Sequence, residues 1–141
     1  MATYSNNLIT REVVGEIPAY RLVKSAEGKI TLAGAKDDIY GAVIHRGSET
    51  NKDLYPSILQ VHAGQYVVPL ETADKGFKEG DTVFAAKDGK VSKKGTQAVG
   101  IVDLPEHDRR GVKTVRVHLF HPAAKDSGSG SGSGSTESAA G

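Results

Sequence analysis

The chain has 141 residues, with 18 Lys and Arg against 17 Asp and Glu and no cysteine. The balanced charge offers no electrostatic grip on nucleic acid, and the absence of thiols excludes disulfides and thiolate zinc sites. No apolar run approaches the ~20 residues of a membrane span, and the first ten residues lack a signal peptide's basic and apolar regions, so a soluble, non-exported protein with no membrane partner is expected.

Met1–Thr10 is polar apart from Leu8-Ile9 and reads either as a frayed terminus or as an extended arm that adds a strand to a partner's sheet edge. Val13-Val14 is followed by Gly15 and Pro18, and a short strand over Ala19–Lys24 turns at Gly28 into Lys29–Ala33. Asp37-Asp38 precedes an apolar strand, Ile39–His45, that contains Gly41. Two adjacent carboxylates without a spaced ligand series fit a solvated turn better than acid–base chemistry or a calcium loop. Arg46–Pro56 is the longest internal polar stretch, an exposed loop that is either a contact element or an insertion, with Leu54-Tyr55-Pro56 expected to anchor it.

Ser57–Leu70 supplies two short strands, and Pro69 points to an edge or a strand end. Thr72–Glu79 has modest helical character: Thr72 caps one turn, Gly76 stops it, and Phe77 packs it. Gly80–Val102 reads strand, turn, strand, turn, strand, centred on the Asp88-Gly89 hairpin signal with a break at Gly95. Pro105–Gly111 is expected as a charged hairpin loop, with Arg109-Arg110 in a solvated turn. Val112–Phe120 alternates cleanly: Val115, Val117 and Leu119 face one way, Thr114, Arg116 and His118 the other. Beyond Ala124 the Ser-Gly run has no apolar surface to bury and is a flexible tail, natural or engineered.

The pattern repeats. Arg21-Leu22-Val23 and Gly28-Lys29-Ile30 fall on Thr82-Val83-Phe84 and Gly89-Lys90-Val91 at an offset of 61 positions, and Ile39–Val43 then matches Ala98–Val102. Two similar β-units around one core are expected, giving a mainly β, compact barrel-like or sandwich-like domain with at most one or two short helical turns. The organisation expected is residues 1–11 as an N-terminal arm, 12–124 as the β domain and 125–141 as the tail.

No motif carries chemistry. His118-x-x-His121 is the one close histidine pair, and positions three apart on a strand face opposite sides, so no metal site is expected. No nucleophile elbow, phosphate-binding loop or dinucleotide fingerprint is present, and neither enzyme activity nor a cofactor is expected.

Gly80-Asp81-x-Val83-Phe84, Asp88-Gly89-Lys90-Val91, Ala98–Val102 and Val115-Arg116-Val117-His118-Leu119 together resemble the C-terminal half of small tailed-phage capsid decoration, or cement, proteins. Ile17–Tyr20, Ile39–Val43 and Gly64 with Val67-Val68 fit the first half more loosely, so the likeness spans residues 12 to 120. The Arg46–Pro56 loop and the Ser-Gly tail depart from the family pattern. The resemblance implies a β-barrel-like domain, made in the host cytoplasm, that sits as a homotrimer on the outer surface of the virion's icosahedral head and braces the major capsid protein. It implies that Ala2, Thr3, Tyr4, Ser5, Asn6, Asn7, Leu8, Ile9 and Thr10 form the capsid-contacting arm, whose removal is expected to abolish head binding and spare the fold. Two other classes stay open: a ligand- or carbohydrate-binding module of a phage tail or surface assembly, and a hydrolase built from scattered His and Asp residues.

Overall fold

The computed structural model describes residues 8–63 and 66–120. The protein is mainly β. Among the described residues its strands are β1 (Leu8–Val13), β2 (Glu16–Ile17), β3 (Arg21–Ala26), β4 (Lys29–Leu32), β5 (Gly41–Val43), β6 (Gly47–Ser48), β7 (Ile58–His62), β8 (Val67–Glu71), β9 (Thr82–Ala85), β10 (Val91–Ser92), β11 (Ala98–Arg109) and β12 (Val112–Leu119), and a 3-10 turn covers Lys87–Gly89. A closed barrel has the order β1-β4-β3-β5-β7, a second sheet has the order β10-β9-β11-β12-β8, and β2 pairs with β6.

These two orders are one order. Replacing β4, β3, β5, β7 and β1 by β10, β9, β11, β12 and β8 converts the barrel into the second sheet. The closures correspond as well: β1 meets β4 in parallel through Glu12↔Lys29 and Val13↔Ile30, and the second sheet curls round to one parallel bridge, Thr72↔Val91. Ion pairs recur at the same place, Lys29 with Glu12 at 3.5 Å and Lys90 with Glu71 at 3.6 Å. The chain is thus an internal duplication, as its repeated sequence pattern suggests.

The register differs from the sequence alignment by one residue before the turn. Val23 pairs with Gly41 and Val83 with Gly100, so the strands match at 60 positions rather than 61. The first hairpin turns on two residues, Glu27-Gly28, and the second needs three, Lys87–Gly89. Both turns end in two left-handed residues, at φ 53° and 78° in the first and 59° and 73° in the second. A glycine adopts that conformation at little cost.

The cores are built by alternation. Val13, Ile17, Val23, Ile30, Val43, Leu59 and Val61 fill the first barrel. The second cluster is larger, since it combines the inner face of the second sheet with Leu22, Ala33 and Ala42 from the outer surface of the first barrel. The second sheet, closed by a single bridge, therefore completes its core against the wall of its twin.

Four expectations change. Thr72–Glu79 forms no helix: Thr72 is in the closing bridge, Gly76 has φ +80°, and the Gly76 and Phe77 amides donate to the Glu106 carboxylate at 2.7 and 3.0 Å. That arrangement drops Phe77 into the second core, as Ile17, its counterpart 60 residues earlier, enters the first. Pro105–Gly111 is not a loop, because β11 runs on to Arg109 and only Arg110-Gly111 turns. Register shifts on either side of Leu104 admit Pro105, which has no N–H for a regular ladder. Leu54 does not anchor its loop and is 71% exposed. Thr114 is buried on its strand's expected outer face, its hydroxyl donating to the His107 carbonyl at 3.3 Å. Pro69 lies in β8, at the edge of its sheet.

Candidate contact surface

β1 exists because Leu8–Val13 finds a full antiparallel partner in β7, from Leu8↔His62 to Glu12↔Ile58. Of the candidate arm, Leu8, Ile9 and Thr10 are therefore strand residues of the first barrel, and the boundary drawn between residues 11 and 12 falls inside β1. Ala2, Thr3, Tyr4, Ser5, Asn6 and Asn7 lie outside the described residues, as do His121 and the Ser-Gly tail.

The described chain begins and ends at one end of the fold. Leu8 stands opposite His62 on β7, and the His62 ring meets Tyr66 edge-on with centroids 4.9 Å apart. The Tyr66 carbonyl accepts a bond from the Leu119 amide at 2.8 Å, one residue before Phe120. Beside it, the pairs Val67↔His118 and His118↔Ile101 align three outward side chains across β8, β12 and β11. Val67, Ile101, Leu104 and Phe120 are each 40–47% exposed, a run of large apolar groups on one face. Arg116 and Asp103 pair at 2.7 Å beside this row.

A second exposed apolar group lies at the opposite end of β1. Val14 follows the strand, Ile58 faces Glu12, and Leu54 leads back into β7. Arg46 stacks over the Tyr55 ring at 4.3 Å and pairs with Glu16 at 3.6 Å, which ties the Arg46–Pro56 loop to β2.

Burial is the largest influence on His62 and pushes its imidazole below the ordinary value of 6.5, against a raising bond to the Ala42 backbone and with a smaller lowering effect from His45. Asp74 sits below its usual range because the Lys93 amide and then the Ser92 hydroxyl donate to it. Glu106 is lowered chiefly by the Gly76 amide. Asp37 is lowered by the Gly34 amide, 2.6 Å away, and then by Lys24, so the adjacent carboxylates read as a turn include one that caps it. An open depression of about 310 Å³ is lined by Asp74, Lys75, Ser92, Lys93 and Lys94. Among the described residues no group of three or more His, Asp or Glu could hold a metal.

Sequence reasoning missed the junction between the repeats. Arg21, with its side chain 11% exposed, donates to Glu71 at 2.7 Å and to the Asp88 carbonyl at 2.9 Å. The Gly89 amide donates to the Ala33 carbonyl at 2.7 Å, and the Glu71 amide to the Tyr20 carbonyl at 2.9 Å. No local pattern announces these bonds, whose partners lie about 50 to 70 residues apart.

No known family model matches this chain. No curated protein matches it either.

Proposed function

We propose that this protein is a capsid decoration protein that binds the outer surface of an icosahedral phage head as a trimer and braces the major capsid protein lattice without catalysing a reaction. The observation that carries this reading is the placement of Leu8–Thr10 in a closed barrel: a load on the residues ahead of Leu8 passes directly into the β1–β7 ladder. The exposed apolar row of Val67, Ile101 and Phe120 shares the end of the fold from which that segment departs. Large apolar side chains gathered on one face favour contact with another protein. Each contact is small, so affinity arises from several copies and several contacts acting together. The carbohydrate-module alternative calls for an aromatic platform, whereas the depression at Asp74 is lined only by charged and hydroxyl side chains.

The test is electron microscopy of purified heads with and without the protein, together with a truncation. The cut removes Ala2–Asn7 and retains Leu8–Thr10, since losing the latter would strip half of β1. The shortened chain should keep its fold and lose head binding. Retained binding would count against the arm.

A further inference from the structure

The duplication leaves two surfaces unmatched. Within the chain, the outer face of the first repeat carries Leu22 and Ala42, both 0% exposed because the second repeat covers them. The covering element includes the Lys87–Gly89 turn, which lies so close that a Cβ on Gly89 would sit 2.5 Å from the Leu22 carbonyl oxygen. The ladder pairs identify the counterparts of these residues. Val23↔Gly41 corresponds to Val83↔Gly100, so Leu22 corresponds to Thr82, and Ala42 to Ile101. The Asp88-Gly89 turn corresponds to Glu27-Gly28. Both counterparts are open: Thr82 is exposed, Ile101 is 40% exposed, and a Cβ on Gly28 would meet nothing within 4 Å.

From this we infer that a second copy of the chain docks head to tail, its Glu27-Gly28 turn seated on the Thr82–Ile101 face of the first, so that the packing inside one chain is repeated between chains. The occupant is a second copy because the chain already displays both parts of the contact, one on each repeat, and uses their twins on itself. Val67, Leu104 and Phe120 extend the apolar surface around Ile101, with the exposed His118 between Val67 and Ile101.

The charges adapt to the change of residues. Inside the chain Arg21 pairs with Glu71, which Lys90 also approaches. Between chains Asp81 stands at the position of Arg21, 60 residues on, and meets the counterparts of Glu71 and Lys90, which are Glu12 and Lys29. The Asp81 carboxylate then takes the Lys29 ammonium as its partner. The first barrel is already closed by two parallel pairs where the second has one bridge, so this contact covers apolar surface without completing a core. It is correspondingly reversible. A contact of this kind is heterologous: copies close into a ring or extend as a filament, and never form a face-to-face dimer. A ring of three copies would display six similar units, and that count alone rests on the trimer reading above.

Because the chain has no cysteine, the geometry can be tested with single thiols. Glu27→Cys and Thr82→Cys proteins are oxidised separately and then as a mixture, and sedimentation velocity is run on the wild type, Ile101→Asp, Lys29→Glu and the Lys29→Glu/Asp81→Lys pair. The expected result is covalent dimer only in the mixture, with wild-type assembly weakened roughly tenfold by Lys29→Glu and recovered by the charge swap. Ile101→Asp, folded by circular dichroism, should sediment as a monomer. A wild type that stays monomeric at every concentration, or Thr82→Cys alone giving the covalent dimer, overturns the inference. Head decoration by a monomeric chain would sink this contact together with the trimer and leave head binding itself standing, whereas assembly without head decoration would keep the contact and sink the capsid reading.

Discussion

A Cβ on Gly41 would lie 2.5 Å from the carbonyl oxygen of His62, and one on Gly100 would lie the same distance from the carbonyl oxygen of His118. At this point in each repeat one strand approaches the next more closely than any side chain allows, with Val61 or Val117 pressing from the same side. Gly41→Ala and Gly100→Ala should each destabilise the fold by about 1–3 kcal/mol, the usual range for overpacking. Urea unfolding checks this. Equal losses are expected, and no loss at either site would mean the strands can move apart freely.

Arg21 is the ionic link whose loss should be felt. It is nearly enclosed and joins Glu71 of β8 to the Asp88 carbonyl at the tip of the second hairpin. Arg21→Ala leaves Glu71 with the more distant Lys90, and losing the charge-assisted hydrogen bonds of this half-buried pair costs about 1.5–3 kcal/mol. Lys29→Ala removes the exposed equivalent, and a loss within about 1 kcal/mol is expected there. Chemical denaturation of the two variants side by side measures the difference.

Phe77 and Leu54 make a sharper contrast. Both are large apolar residues in irregular segments, yet Phe77 is 4% exposed and Leu54 is 71% exposed. Phe77→Ala should cost about 3–5 kcal/mol, since it unplugs the second core. Leu54→Ala should stay within about 0.5 kcal/mol. A larger effect at Leu54 would show that its loop packs in solution.

Stability should rise with pH through the histidine range. His62 titrates near 6.5 when unfolded and lower when folded, so between those values the unfolded chain binds more protons. The stabilisation is complete above 6.5 and is lost as the pH falls toward the folded value. Glu106, Asp74 and Asp37 act in the same direction lower down: their contributions stand above their ordinary values of 4.5, 3.8 and 3.8 and vanish as the pH falls through their depressed folded values. Urea midpoints followed from pH 8 to 3 should therefore fall in two stages. His62→Gln should remove the first stage and leave the second.

Much of this fold was written locally. Asp88-Gly89 and Glu27-Gly28 specify hairpins through left-handed backbone, and Val115, Val117 and Leu119 declare an inward face through alternation, because turn chemistry and side-chain period act over a few residues. The repeat was visible for the same reason, although its register needed the extra residue of the second turn to be seen in space. What tertiary structure alone decided was which faces meet. Leu22 and Ala42 are buried while Thr82 and Ile101 are not, since the second sheet closes by one bridge and borrows the first barrel's wall to finish its core. The same holds for Leu8–Thr10, whose Leu8-Ile9 pair is a lone apolar step in a polar start of the linear chain and becomes part of a barrel strand once β7 lies alongside. A ladder partner some fifty residues away leaves no mark on the residues it will pair with, so only the folded chain could assign them.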